Sequence, residues 1–394
     1  MKASKSDGSE LNGVWSWPTS VRFGAGRIGE LADACRELGM KRPLLVTDAG
    51  LMAHAMVAEA VAANEAKNLP TALYGAFKSN PTGANVHDGV TCFRAGRHDG
   101  VIAFGGGSAL DAGKVIAFMA GQHRPMWDFA DEGDNWRRAD TDGMAPLVAV
   151  PTTAGTGSEV GRAAVIVNED AHRKCIIFHP NMMPRIVIAD PVLTVGLPQS
   201  VTAATGMDAL THCLEAFCAR GFHPMADGVA LEGMAIIKEW LPVAFEDGAN
   251  LRARAYMLAA ASMGAAAFQK GLGAVHALAH PIGAFFDTHH GLTNAVILPY
   301  VLVFNRDHIS KKLTHLTRVL GLGEPAFDAV MEWILDLRTR LGIPHILADI
   351  GVDNKRVAEI ALAAAEDPSA DGNPRPIGPS ELETIFSNAY EGRL

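Results

Sequence analysis

The 394-residue chain holds only five cysteines, Cys35, Cys92, Cys175, Cys213 and Cys218, an odd number with no CxxC pair. That excludes a disulfide framework and suits reduced thiols in a cytoplasmic protein. No apolar run is long enough to span a bilayer: the longest, around Met257 to Phe268, is Ala-rich and too short. The opening MKASKSDGSELNG has no apolar core of a signal peptide, so neither export nor membrane insertion is expected. Long runs of one charge sign are missing as well. With 34 basic against 43 acidic residues the net charge is −9, which leaves no electrostatic footprint for nucleic acid.

What is present is core material, 48% of it hydrophobic over a length that suits two domains. Up to residue 197, short apolar runs alternate with helical patterns: Leu44 to Thr47, Val101 to Phe104, Leu147 to Val150, Ala164 to Val167 and Ile186 to Ala189. Strand and helix in alternation predict a mostly parallel sheet covered by helices. After DPVLTVGLPQS the strand signals stop and stretches rich in Ala, Leu and Met follow, such as Leu251 to Gln269 and Ala326 to Leu341. The organisation expected is an α/β domain over 1–197 and an all-α domain over 198–394. The polar stretch from Asp128 to Gly143 reads as a solvated loop.

Two segments of the first domain have the chemistry of phosphate seats. VIAFGGGSALDAGK places Gly105, Gly106, Gly107 and Ser108 between a strand and a helix, where bare backbone N–H groups suit a pyrophosphate. This turn is neither GxGxxG nor a P-loop, and glycine-rich turns also arise for steric reasons. PTTAGTGSEV offers Thr152, Thr153, Gly155, Thr156, Gly157 and Ser158, small donors at a density that packing does not readily explain. Ser158 has no base at an identifying spacing, so a capping or solvated serine is the simpler reading. Two such loops on one sheet point to a dinucleotide. Asp48, ending LLVT, is placed to bond the adenosine ribose and favour NAD over NADP, or equally to cap the next helix.

The second domain carries metal-type donors. Asp208 and His212 stand four apart in a helical stretch, so both project from one face. His276 and His280 share a second face until Pro281 intervenes, and His290 follows fourteen residues after His276. Any one pair is more often an ordinary helical contact than a ligand pair; together, one carboxylate with three imidazoles suits Fe(II) or Zn(II). Cys213 and Cys218 read as helix-packing residues.

GGGSALDAGK, PTTAGTGSEV, ATGMDALTHCLEAF and VHALAHPIGAFFDTHHG, in this order, together with ADPVL and NPRP at Asn373 to Pro376, resemble the iron-containing (group III) alcohol dehydrogenases over nearly the whole chain. The resemblance implies a dehydroquinate synthase-like architecture: an N-terminal α/β dinucleotide-binding domain, a helical C-terminal domain and an active-site cleft. It implies metal ligands at Asp208, His212, His276 and His290, with iron expected and zinc suited to the same donors. It implies NAD contacts at Asp48, Asn80, Gly106, Gly107, Ser108, Asp111, Thr152, Thr153 and Lys174, and a proton-transfer role for His280, whose alternative is a packing or supporting histidine.

Two positions depart from that pattern. Arg162 stands where the family often has other residues after SerGluVal, and an arginine there suits an anionic group on the substrate, or a structural ion pair with Glu159 or Asp170. His289 precedes His290 where proline is common, and is expected to face a cleft or solvent. The expectation is thus NAD-dependent, metal-dependent oxidation of a primary alcohol or reduction of its aldehyde, a small molecule such as an ω-hydroxy acid, by a cytoplasmic homodimer without nucleic-acid or membrane partners. The competing readings are a hydroxyacid-oxoacid transhydrogenase that keeps its nicotinamide bound and a nucleotide-binding protein without redox chemistry.

Overall fold

The computed structural model describes residues 19–77, 79–171 and 173–394; the opening segment read above for export lies outside them. Six strands form one parallel sheet: β1 (Ser20–Phe23), β2 (Leu44–Val46), β3 (Ala72–Tyr74), β4 (Val101–Gly105), β5 (Leu147–Pro151) and β8 (Ile186–Ala189), in the order β1-β8-β5-β4-β2-β3. Between them run α1 (Leu31–Glu37), α2 (Ala55–Ala66), α3 (Gly83–Ala95) and α4 (Gly107–Met119). Strands β4, β5 and β8 are buried along their whole length, which is why they read as unbroken apolar runs and not as alternation.

Period two decides which side each strand residue serves. Ile102 and Phe104, Val148 and Val150, Ile186 and Ile188 share one face of the sheet and pack against Leu31, Cys35 and Val57 from α1 and α2. That layer fixes the ends of β4 and β5, from which both candidate phosphate loops spring.

The run Ala164 to Val167 was expected in the parallel sheet and is not there. It forms β6 (Ala163–Asn168), paired antiparallel with β7 (Arg173–Phe178) in a separate two-stranded sheet. The connection is too short for a helical crossover, so a hairpin is the pairing open to it. The stretch 128–143 is mostly loop, with single 3-10 turns at Met126–Phe129 and Asn135–Arg138.

The rest is helical: α5 (Gln199–Cys218), α6 (Pro224–Glu246), α7 (Leu251–Ala267), α8 (Ala274–Phe286), α9 (His290–Leu320), α10 (Ala326–Arg340), α11 (Val357–Ala365) and α12 (Pro379–Glu391). One compact unit comprises Met207–Pro242 with Met263–Leu394; the other is the remainder of the described chain, up to Gly206 and from Val243 to Ser262. In the first, Ala274 to Gly283 of α8 are all buried, which matches a sequence that is apolar except for His276 and His280 on one face. Pro281 does not end this helix, contrary to expectation. Its fixed φ is compatible with helix, and only one backbone bond is forgone. Among the described residues no helix is long and apolar enough to cross a membrane.

Candidate metal centre and dinucleotide loops

Three helices of the helical unit bring the metal-type donors together. Asp208 and His212 lie on α5, His276 on α8, and His290 is the first residue of α9. One donor atom from each lies within 4.8 Å of the others, and Asp208, His212 and His276 are buried. The His212 and His276 rings stack with centroids 4.6 Å apart. His290 Nε2 is 3.8 Å from Asp208 Oδ1.

A neighbouring carboxylate aims one of these rings. His276 Nδ1 is 2.6 Å from Glu215 Oε2, while Glu215 Oε1 accepts from Val275 N, so His276 presents its Nε2 to the cluster. Burial works against a charged His276, but the Glu215 hydrogen bond and charge, helped by Asp208 and Asp367, outweigh it and raise its pKa. These carboxylates thus favour positive charge at the His276 ring. Four convergent donors, a buried carboxylate and an oriented imidazole fit a divalent cation such as Fe(II) or Zn(II).

His280, one turn beyond His276, stacks on His290 at 5.4 Å. Its Nδ1 is 2.7 Å from Asp367 Oδ2, and Asp367 Oδ1 accepts from Ser369 N. Burial alone would raise the Asp367 carboxyl; the charge and hydrogen bond of His280, with the bonds from Ser369, hold it below the ordinary range. An ionised Asp367 beside Nδ1 fixes the tautomer of the neutral His280 ring, with the proton on Nδ1 and the lone pair on Nε2. His289 is exposed and caps α9, its Nδ1 accepting from Leu292 N. Burial pushes the Cys213 and Cys218 thiols up to about 12, as packing residues and not nucleophiles.

In the other unit, the two glycine and threonine loops lie against each other. Gly105 has φ +144°, which favours glycine, and Thr152 N bonds to Gly105 O. A Cβ on Gly107 would stand 2.6 Å from the Thr156 methyl, and one on Gly106 3.2 Å from Thr153. The glycines thus admit the second loop as well as any phosphate. Around this turn Asn80 N bonds to Ser108 Oγ, Asp48 Oδ2 faces Gly105, and Lys174 pairs in register with Val167, which bridges to Thr82. Asp48 Oδ1 accepts from Gly50 N and Leu51 N, closing a turn; the cap of α2 is His54.

Asp111, expected as a cofactor contact, is engaged within the protein. Its oxygens accept from Ser158 Oγ and Val165 N and lie 3.1 Å from Lys114 Nζ. Lys114, 1% exposed, also bonds to the carbonyls of Ser158 and Ala163, so the pair ties α4 to the second loop and β6. The Arg162 guanidinium lies over the Phe178 ring at 5.6 Å. Glu159, which the sequence offers with Asp170 as an ion-pair partner for Arg162, is buried and accepts from Ser262 Oγ at 2.6 Å.

Glu215, Asp367, Asn294 and Lys114 escaped the reading of the sequence. Glu215 had a signal, since it stands three residues after His212 in THCLEAF. A further GxGxxG, Gly24 to Gly29, does lie between β1 and α1. There Ile28 N donates to Asp190 Oδ2, so a carboxylate of the protein sits where a phosphate would, and that turn is a structural one.

Known proteins resemble the chain over nearly its whole length. Residues 18–191 match the family model for iron-containing alcohol dehydrogenase, and residues 202–390 match that for the C-terminal part of the Fe-containing alcohol dehydrogenase family. A 4-hydroxybutyrate dehydrogenase of Cupriavidus necator is 39% identical over 94% of this chain and 98% of its own. The crystal structure of a 1,3-propanediol oxidoreductase, 34% identical, superposes with a TM-score of 0.91 over 96% of this chain and 100% of its own. That of a sulfoacetaldehyde reductase from Bifidobacterium kashiwanohense in complex with NAD+, 27% identical, gives 0.86 over 96% and 99%. The chain belongs to the iron-containing alcohol dehydrogenase family. It is an oxidoreductase that interconverts small alcohols and aldehydes, with NAD and iron as the family's cofactors.

Proposed function

We propose that the substrate is a short primary alcohol, or its aldehyde, carrying an anionic group at the far end, as in an ω-hydroxy acid. The convergence of Asp208, His212, His276 and His290 within 4.8 Å is the observation that carries the chemistry, and these four residues are the proposed metal ligands. A bound divalent cation supplies Lewis-acid polarisation of the substrate oxygen, and bound NAD supplies the hydride acceptor. Glu215 holds the His276 ring in its ligating orientation. His280 Nε2 exchanges the hydroxyl proton with solvent while Asp367 stabilises the charged imidazole through Nδ1. Gly106, Gly107, Ser108, Thr152 and Thr153 receive the dinucleotide phosphates, Asp48, Asn80 and Lys174 assist, and Asp111 braces the loop. We assign the dinucleotide to the domain over 1–197 and the metal to that over 198–394.

Arg162 supports the anionic substrate. Stacking on Phe178 orients its planar fork, which matches carboxylate and sulfonate oxygens bidentately. The 4-hydroxybutyrate dehydrogenase and sulfoacetaldehyde reductase among its relatives are named for anionic substrates. A cytoplasmic homodimer completes the proposal: edge strand β1 leaves Val21 and Phe23 about two-fifths exposed, which suits pairing with a second copy. Turnover of a four-carbon ω-hydroxy acid and of 1-butanol, each in wild type and Arg162→Ala, tests the anion anchor. The variant is expected to lose about tenfold or more kcat/KM on the hydroxy acid alone. Equal loss on both removes Arg162 from substrate selection, and turnover of hydroxy acid plus oxo acid without added NAD makes the protein a transhydrogenase.

A further inference from the structure

Asn294 lies on α9 four residues after His290, so both side chains leave the same helix face. It is fully buried, and its Nδ2 stands 2.8 Å from Asp208 Oδ1, 3.2 Å from His276 Nε2 and 3.2 Å from His290 Nε2. A single amide nitrogen on α9 thus reaches donors on α5, α8 and α9. The ligands set its orientation. His276 Nδ1 faces Glu215, so the neutral ring offers a lone pair at Nε2, and an amide oxygen in the place of Nδ2 would confront lone pairs from Asp208 and His276. Asn294 Oδ1 meanwhile is buried with no hydrogen-bond partner. A residue kept for packing would avoid that orphaned acceptor, since leucine has similar volume and no polar atom.

We propose that Asn294 is a positioning residue of the metal centre, its amide gathering Asp208, His276 and His290 toward one point. The inference rests on the reading of the cluster as a metal centre. A cation takes the imidazole lone pairs, so the bond to Asp208 is the contact that continues to orient a ligand when the site is loaded. Glu215 and Asn294 then have complementary roles, since Glu215 aims an imidazole from outside while Asn294 holds the carboxylate from within.

The test loads wild type, Asn294→Leu and Asn294→Ala with Co(II), whose visible absorption reports coordination geometry, and times its removal by a chelator. Asn294→Leu keeps the side-chain volume, so it guards against simple collapse of the core. Both variants are expected to release Co(II) about 10- to 100-fold faster, with an altered absorption band. The wild-type spectrum and release rate in either variant, with circular dichroism unchanged, would overturn the proposal. Asp208→Ala separates the two levels. If it binds Co(II) as tightly as wild type, the metal-centre reading fails; if it abolishes binding while the Asn294 variants behave as wild type, only the role of Asn294 fails.

Discussion

Charge placed without water decides most of what individual residues do here. Asp367 remains ionised because His280 and Ser369 compensate its burial, whereas Glu159, 1% exposed, is held above its ordinary value of 4.5 by desolvation that Ser262 and Lys114 do not offset. A folded carboxyl with a raised pKa prefers its proton, so the native state binds more protons than the unfolded chain once pH exceeds 4.5. Stability therefore falls as pH climbs from there through the folded pKa, by about 1.4 kcal/mol for each pH unit in that window. Urea unfolding at pH 5 and pH 8 should show Glu159→Gln gaining stability relative to wild type at the higher pH, because the amide still accepts from Ser262 without titrating. An equal difference at both pH values would show that Glu159 does not titrate in that window. The metal-type donors were legible in the chain because helical spacing relates Asp208 to His212 directly. Glu215 and Asp367 were not, because their partners His276 and His280 lie 61 and 87 residues away and only the fold joins them.

Element scale explains why glycine is used so heavily at the end of β4. Loop and helix are packed by subtraction: with no Cβ at Gly106 or Gly107, Thr153 and Thr156 fit against the start of α4. Gly107→Val should force the Thr156 loop away, since even the first added carbon stands 2.6 Å from its methyl. The expected result is an NAD dissociation constant raised at least about tenfold by fluorescence titration, with Co(II) binding at the helical cluster unchanged. Unaltered NAD affinity would detach this turn from the dinucleotide. Strands β4, β5 and β8 could be read from the chain because burial on both faces makes them continuous apolar runs, and β2 because its run is bounded. Strand β1 is largely exposed and β3 only partly buried, so neither shows a continuous apolar run, and the antiparallel pairing of β6 depends on β7, whose polar Arg173 and Lys174 mask it.

Across the whole molecule, two kinds of chemistry are built by two kinds of architecture. In the proposed function, backbone groups at strand ends would serve a dinucleotide, where bare N–H donors matter more than side chains, and buried helices a cation, where fixed side chains matter more than backbone. The fold class followed from the change in patterning near residue 197, where short apolar runs between helical patterns give way to long stretches rich in Ala, Leu and Met. Substrate choice did not follow, since Arg162 has both an aromatic support and a chemistry shared by many anions. The central claim is that alcohol oxidation depends on a cation held by Asp208, His212, His276 and His290. Titrating Fe(II) anaerobically into chelator-stripped wild type, with elemental analysis and NADH absorbance read on the same samples, tests it most directly. Activity should rise in proportion to bound iron and saturate at about one ion per chain, while Asp208→Ala stays inactive over the same range. Undiminished turnover by protein shown to contain no metal would contradict the account.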